Sequence, residues 1–134
     1  MKLEVGMYVR TINDKAVGNG IIGKIKYINE REHKGKLKKY YSVWIDNKNW
    51  FEILENDAIS ERVKASHNII DLVQENDFVN GKLVAKNKEV ITTDNIYIGR
   101  YLYEKDNSLI GGEEDIKSIV TKEQFESISY KVGD

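Results

Sequence analysis

The sequence predicts an all-β protein built from two small β-rich units, with one short helix near its C-terminus, and three observations carry the prediction. Apolar and polar residues alternate with a period of two over most of the chain, as in half-buried strands, and helical periodicity is nearly absent. Clusters of Asn, Asp and Gly punctuate these runs at hairpin spacing. Finally, the two halves echo one another in order. Val5-Gly6-Met7-Tyr8-Val9 returns as Glu75-Asn76-Asp77-Phe78-Val79, Asp46-Asn47 as Asp106-Asn107, and Asp57-Ala58-Ile59 as Glu114-Asp115-Ile116. The echoes predict units over residues 1–66 and 67–134, each with an aromatic first strand, a meander, an Asp-Asn turn and an acidic corner ending in Ile.

The first strand is expected at Val5 to Ile12, followed by the turn cluster Asn13-Asp14-Lys15. Gly18-Asn19-Gly20 opens a second strand, Ile21 to Ile28, where Gly23, Ile25 and Tyr27 alternate with Lys24, Lys26 and Ile28. Asn29 to Lys39 is charged and lacks an apolar period, which predicts a hairpin loop. Tyr40 to Ile45 and Trp50 to Ile53 pair across the turn Asp46-Asn47-Lys48-Asn49. Ile59 to Gln74 fits two patterns: Ile59, Val63, Ile70 and Val73 suit a helix face, while Ile69 to Val73 reads as a strand, and a strand from Asn68 onward is preferred. Asn80-Gly81 between apolar neighbours predicts a type I′ hairpin, because both residues tolerate positive φ. Further strands are expected at Glu89 to Thr93, Tyr97 to Tyr103 and Ser108 to Ile110. Thr121-Lys122-Glu123-Gln124 has capping-box spacing and predicts a helix from Lys122 to Ser127, before a last strand at Ile128 to Val132.

Composition narrows the chemistry. The 134 residues contain no Cys and no Pro, and only His33 and His67 supply imidazole, so thiolate chemistry, Cys-based metal sites and an all-His site are excluded. No stretch reaches the roughly 18 apolar residues of a membrane span, and the opening residues lack a leader pattern, so a cytoplasmic location is expected. The net charge of −1 conceals an asymmetry: residues 1–66 carry 13 Lys or Arg against 9 Asp or Glu, and residues 67–134 carry 8 against 13. The halves differ by +4 and −5, enough to orient a charged partner or to favour self-association, and a homodimer is left open.

Two resemblances attach to these residues. Gly6-Met7-Tyr8-Val9-Arg10 followed by Gly20-Ile21-Ile22-Gly23-Lys24-Ile25 resembles the opening of an SH3-like barrel of the KOW or Tudor kind, which implies small SH3-like or related β-barrel units. Asn68-Ile69-Ile70-Asp71-Leu72, Asp77-Phe78-Val79-Asn80-Gly81 and the segment Asp115 to Phe125 resemble a group of small phage and prophage accessory proteins of Gram-positive bacteria. That group often has Gly before the Asp of the first-strand motif, where this chain has Asn76. The second resemblance implies a phage context inside a bacterial host, with host takeover or defence evasion as the role, and no enzymatic activity.

Catalytic patterns are weak. Glu113-Glu114-Asp115 after Gly111-Gly112 is consecutive, unlike the alternating carboxylates of a calcium loop, so no metal is expected. Ser66 beside His67 in sequence is no dyad, and no phosphate-cradling loop precedes a helix. The expectation is therefore a non-enzyme without cofactors. Two surfaces stand as binding candidates. Tyr40, Trp44, Trp50 and Phe51 lie with Tyr41 within twelve residues, too many for one small core, so some are expected to be exposed as protein-binding anchors. The competing reading places them all in the core or under the second unit. Lys34, Lys36, Lys38 and Lys39, with Lys24 and Lys26 on the strand that feeds them, are candidates for phosphate neutralisation, with Tyr40 or Tyr41 stacking on a base. The competing reading is a solvated hairpin tip kept charged against edge pairing.

The leading expectation is a phage accessory protein that binds a host protein, such as a component of an antiviral defence system. A nucleic-acid-binding module is the alternative, and a small-molecule sponge for a nucleotide signal is the third reading.

Overall fold

Alternation in the first half of the chain builds a five-stranded antiparallel sheet. The structure is a computed structural model describing residues 2–128, and its chain divides into two units, Met1–Asn68 and Ile69–Asp134. In the first unit, β1 (Tyr8–Thr11), β2 (Ile22–His33), β3 (Lys36–Trp44) and β4 (Trp50–Leu54) form a meander. One helical turn, α1 (Ile59–Arg62), then leads into β5 (Val63–Ser66), which returns to pair with β1, giving the order β4-β3-β2-β1-β5. Val9, Ile25, Tyr41, Val43, Ile53 and Val63 point inward with Leu3 and Ile59, and Met7, Ile28, Phe51 and Ala65 pack against them. An ion pair at 2.9 Å between the buried Asp14 and the half-buried Arg62 fastens the β1–β2 loop to α1. Burial raises the Asp14 carboxyl, but the Val17 amide, the Arg62 guanidinium and the Ala16 amide outweigh it and hold the group below its usual range.

The charged segment Asn29 to Lys39 differs from its expected form. It is two paired strands, with Glu30 opposite Lys39, Arg31 opposite Lys38 and His33 opposite Lys36, closed by a two-residue turn at Lys34 and Gly35. Both turn residues have positive φ (53° and 77°), the type I′ geometry that matches strand twist. Cross-strand pairing there does not require an apolar period, so polarity alone is a poor guide to this segment. A second difference sits at Lys26. The β2–β3 register passes from Ile25 opposite Val43 to Tyr27 opposite Ser42, so Lys26 is a bulge residue. One extra residue reverses the parity: Ile28 faces the core, and Tyr27 is 56% exposed on the other side.

The second unit holds two three-stranded sheets. One has the order β11-β6-β7, from β6 (Phe78–Val79), β7 (Lys82–Leu83) and β11 (Ile119–Val120), and the other β10-β9-β8, from β8 (Lys86–Ile91), β9 (Tyr97–Tyr103) and β10 (Leu109–Gly112). No sheet closes into a barrel among the described residues. Ile70, Val73, Val79, Val84 and Leu102 form the core, with Ile110, Ile116 and Ile119 against it. The strand expected from Asn68 is instead a 3-10 turn over Ile69–Leu72. The Glu113 carboxylate accepts the Ile69 and Ile70 amides at 2.9 and 2.8 Å, and the Asn87 side-chain amide donates to the Ile70 and Val73 carbonyls. These tertiary partners satisfy the backbone of a turn and override its β-rich composition.

Two local expectations match the structure. Asn80 and Gly81 take φ of 54° and 79° in the β6–β7 hairpin. Thr121 and Gln124 form a reciprocal capping box, with Gln124 N–H donating to Thr121 Oγ1 at 3.2 Å and Thr121 N–H to Gln124 Oε1 at 3.0 Å. Helix α2 (Lys122–Ile128) follows. The strand expected at Ile128 to Val132 falls, beyond Ile128, outside the described residues.

One hydrogen-bonding scheme recurs in both units. Gly6 N–H donates to the Ile25 carbonyl and Ile25 N–H to the Met7 carbonyl, both at 2.9 Å. In the second unit Asn76 N–H donates to the Val84 carbonyl and Val84 N–H to the Asp77 carbonyl, both at 2.8 Å. Gly6 and Asn76 share positive φ, 94° and 74°. Tyr8 lies between Lys24 and Ser66, as Phe78 lies between Leu83 and Val120. Asp46 and Asp106 also play one part, each accepting the amide two residues on. Asn49 side-chain bonding, then the Lys48 and Asn49 amides, hold Asp46 below the usual carboxylate range, and the Ser108 side chain and amide do the same for Asp106.

Candidate binding face

Regular pairing carries one row of side chains across the first sheet. Tyr8 on β1 is opposite Lys24 on β2, Lys24 is opposite Trp44 on β3, and Trp44 is opposite Trp50 on β4. Since Val9, Val43 and Phe51, the next residues along, face the core, this row stands on the outer face. Trp44 and Trp50 stack with centroids 5.8 Å apart and planes 14° from parallel, and Tyr27 meets Trp44 edge-on at 6.3 Å. The bulge that exposes Tyr27 also sets the Lys26 ammonium 4.5 Å from the centre of the Trp44 ring, while Lys24 lies 5.4 Å from that of Tyr8. Trp44 donates its indole N–H to Ser42 Oγ at 2.9 Å.

The same face continues along the hairpin. Arg31 lies over the Tyr40 ring at 3.9 Å and pairs with Glu52. By parity on the regular strand β3, Lys36 and Lys38 share the face of Tyr40, Ser42 and Trp44. Lys24, Lys26, Arg31, Lys36 and Lys38 therefore stand with Tyr8, Tyr27, Tyr40, Trp44 and Trp50, and Glu52, the acid that pairs into this face through β4, is taken by Arg31.

Of the residues expected to bind a protein, Tyr40, Trp44 and Trp50 come together here, whereas Phe51 turns inward opposite Val43 and packs on the core. Of the six lysines, Lys24, Lys26, Lys36 and Lys38 join the aromatics. Lys34 occupies the hairpin turn, and Lys39 has the opposite parity, beside a polar hollow of about 380 Å³ lined also by Glu30, Lys38, Glu55 and Asp57. Two expected surfaces are thus largely one. Tyr8, Tyr27 and Arg31 were not among the expected residues. Lys34-Gly35 in the middle of the charged segment is the sequence signal that would have extended both strands and recruited Arg31; nothing in the sequence marks the bulge that recruits Tyr27.

Among the described residues no group of three or more His, Asp or Glu is placed to hold a metal ion, and no described helix is long and apolar enough to cross a membrane. Comparison with protein-family models, with curated proteins and with solved structures finds no match.

Proposed function

We propose that this protein acts by stoichiometric binding through the outer face of its first sheet, and that the partner is a nucleic acid. The observation that carries this reading is the interleaving of cations and rings on one face: Lys24 and Lys26 lie over Tyr8 and Trp44, and Arg31 over Tyr40. A polyanion gains from several ammonium groups held within a Debye length of each other, and rings beside them contact bases of any sequence. An SH3-like reading of the first unit is supported by its four-stranded meander, helical turn and fifth strand returning to the first.

A second reading, capture of a host protein by a phage accessory factor, is favoured by the Trp44–Trp50 stack, whose outer member is 51% exposed and offers rigid area at low entropy cost. Storage of a nucleotide signal draws least support. The hollow beside Lys39 sets Glu30, Glu55 and Asp57 against two lysines, the wrong balance for a phosphate-bearing ligand.

The experiment is a titration of labelled oligonucleotide at several salt concentrations with wild type, the fourfold variant Lys24→Ala, Lys26→Ala, Lys36→Ala, Lys38→Ala, and Lys39→Ala as the opposite-face control. The fourfold variant is expected to weaken binding and to flatten the salt slope by about 0.7 for each single-strand phosphate it no longer neutralises, with Lys39→Ala near wild type. Absence of nucleic-acid binding by wild type at low salt, together with salt-resistant capture of one discrete protein that requires Trp50, assigns the face to a protein partner instead.

A further inference from the structure

Resting on the nucleic-acid reading, we infer that this face selects single strands over duplexes by stacking unpaired bases on Trp50 and Tyr27. The three central rings are not equivalent. Trp44 is already engaged by Trp50 at 5.8 Å, by the edge of Tyr27 at 6.3 Å, by the Lys26 ammonium at 4.5 Å and through its N–H by Ser42. It is a pedestal that holds its neighbours. Trp50 and Tyr27, at 51% and 56% exposure, flank it with free ring surface.

A base stacks on such a ring only if its own face is open. In a duplex every base face inside the helix is covered by its neighbours, so a duplex offers this surface phosphates alone, whereas an unpaired strand offers phosphates and faces together. Lys26 lies over Trp44, the ring between the two free ones, and Lys24, the direct cross-strand neighbour of Trp44, extends the charge toward Tyr8. A backbone linking bases stacked on Trp50 and Tyr27 passes the Lys26 charge. The aromatic contribution is independent of salt and the lysine contribution is not, which makes the two separable.

The test compares a labelled oligothymidine with the duplex of the same length, using wild type, Trp50→Ala, Tyr27→Ala and Trp50→Phe. Wild type is expected to bind the single strand at least tenfold more tightly than the duplex, with tryptophan emission quenched on binding. Trp50→Ala and Tyr27→Ala should each lose about tenfold for the single strand with an unchanged salt slope, and little for the duplex. Trp50→Phe, which keeps a ring, should restore most of the affinity. Equal or tighter binding of the duplex, or wild-type affinity in both alanine variants, overturns the stacking inference while leaving polyanion binding in place. Failure of wild type to bind either form overturns the underlying reading and the inference with it.

Discussion

At the scale of single residues, the two tryptophans divide structure from recognition. Trp44 sits in mid-sheet with a stacking partner, an edge contact, a cation and a hydrogen bond to Ser42, a residue only 4% exposed. Trp50 lies on β4 at the end of the sheet order. Trp44→Ala is therefore expected to destabilise the first unit by about 2 kcal/mol or more, and Trp50→Ala by about 1 kcal/mol, roughly the worth of one aromatic pair. Thermal melts of the two variants check this order. Alternation along β3 sets Trp44 on the face away from Val43, but only the paired strands show which ring its neighbours clasp. Tyr41 gives a pH-dependent test. Burial, then hydrogen bonding to Glu55 and that carboxylate's charge, push its phenol up to about 12. The folded pKa lies above the unfolded value near 10, so the stabilisation is complete below about pH 10 and is lost as pH rises toward 12, amounting to about 2–3 kcal/mol. Tyr41→Phe should flatten that alkaline limb in denaturation curves recorded across it. An alkaline limb identical in both proteins contradicts the assignment.

Elements were legible where the signal was local. The Asn80-Gly81 turn, the Thr121–Gln124 box and the Tyr97–Tyr103 strand each follow from a few adjacent residues whose backbone preferences agree with the tertiary structure. The Lys26 bulge and the Ile69–Leu72 turn were not legible, because cross-strand register and side-chain bonds from Glu113 and Asn87 decide them, and the charged hairpin showed only its Lys34-Gly35 turn, its strands carrying no apolar period. The hairpin turn invites a direct test. Lys34 occupies a left-handed position that Asn adopts more readily, so Lys34→Asn is expected to raise stability by a few tenths of a kcal/mol, and Gly35→Val to lower it by about 1 kcal/mol or more. Closer to the binding face, Gly23 packs against β3 so tightly that an added Cβ would lie 2.6 Å from Val43 Cγ1 and 2.9 Å from the Trp44 carbonyl oxygen. Gly23→Ala should cost about 1–3 kcal/mol and disturb the Trp44 row, visible as a lower melting temperature with altered tryptophan emission.

For the molecule as a whole, the sequence echoes and the repeated hydrogen bonds concern the same positions. Gly6 and Asn76, Tyr8 and Phe78, and Asp46 and Asp106 each hold matching places in their units. Yet the two units differ on this face: the position of Lys24, opposite Tyr8, is held in the second unit by Leu83, opposite Phe78. The candidate face is thus a property of the first unit, in keeping with the +4 balance of residues 1–66 against −5 for residues 67–134. Its composition was partly visible in the sequence, as a cluster of rings and a cluster of lysines; that they share a face follows from the straight register of β3 and the extra residue in β2, which only the paired strands display. The most direct test of the central claim is amide and indole chemical-shift mapping of the isotopically labelled protein titrated with oligothymidine. The account predicts that the largest changes fall on Lys24, Lys26, Tyr27, Tyr40 and the Trp50 indole N–H, with smaller ones at Lys39 and in residues 69–128. Changes centred on the second unit, or none at saturating oligonucleotide and low salt, would contradict it.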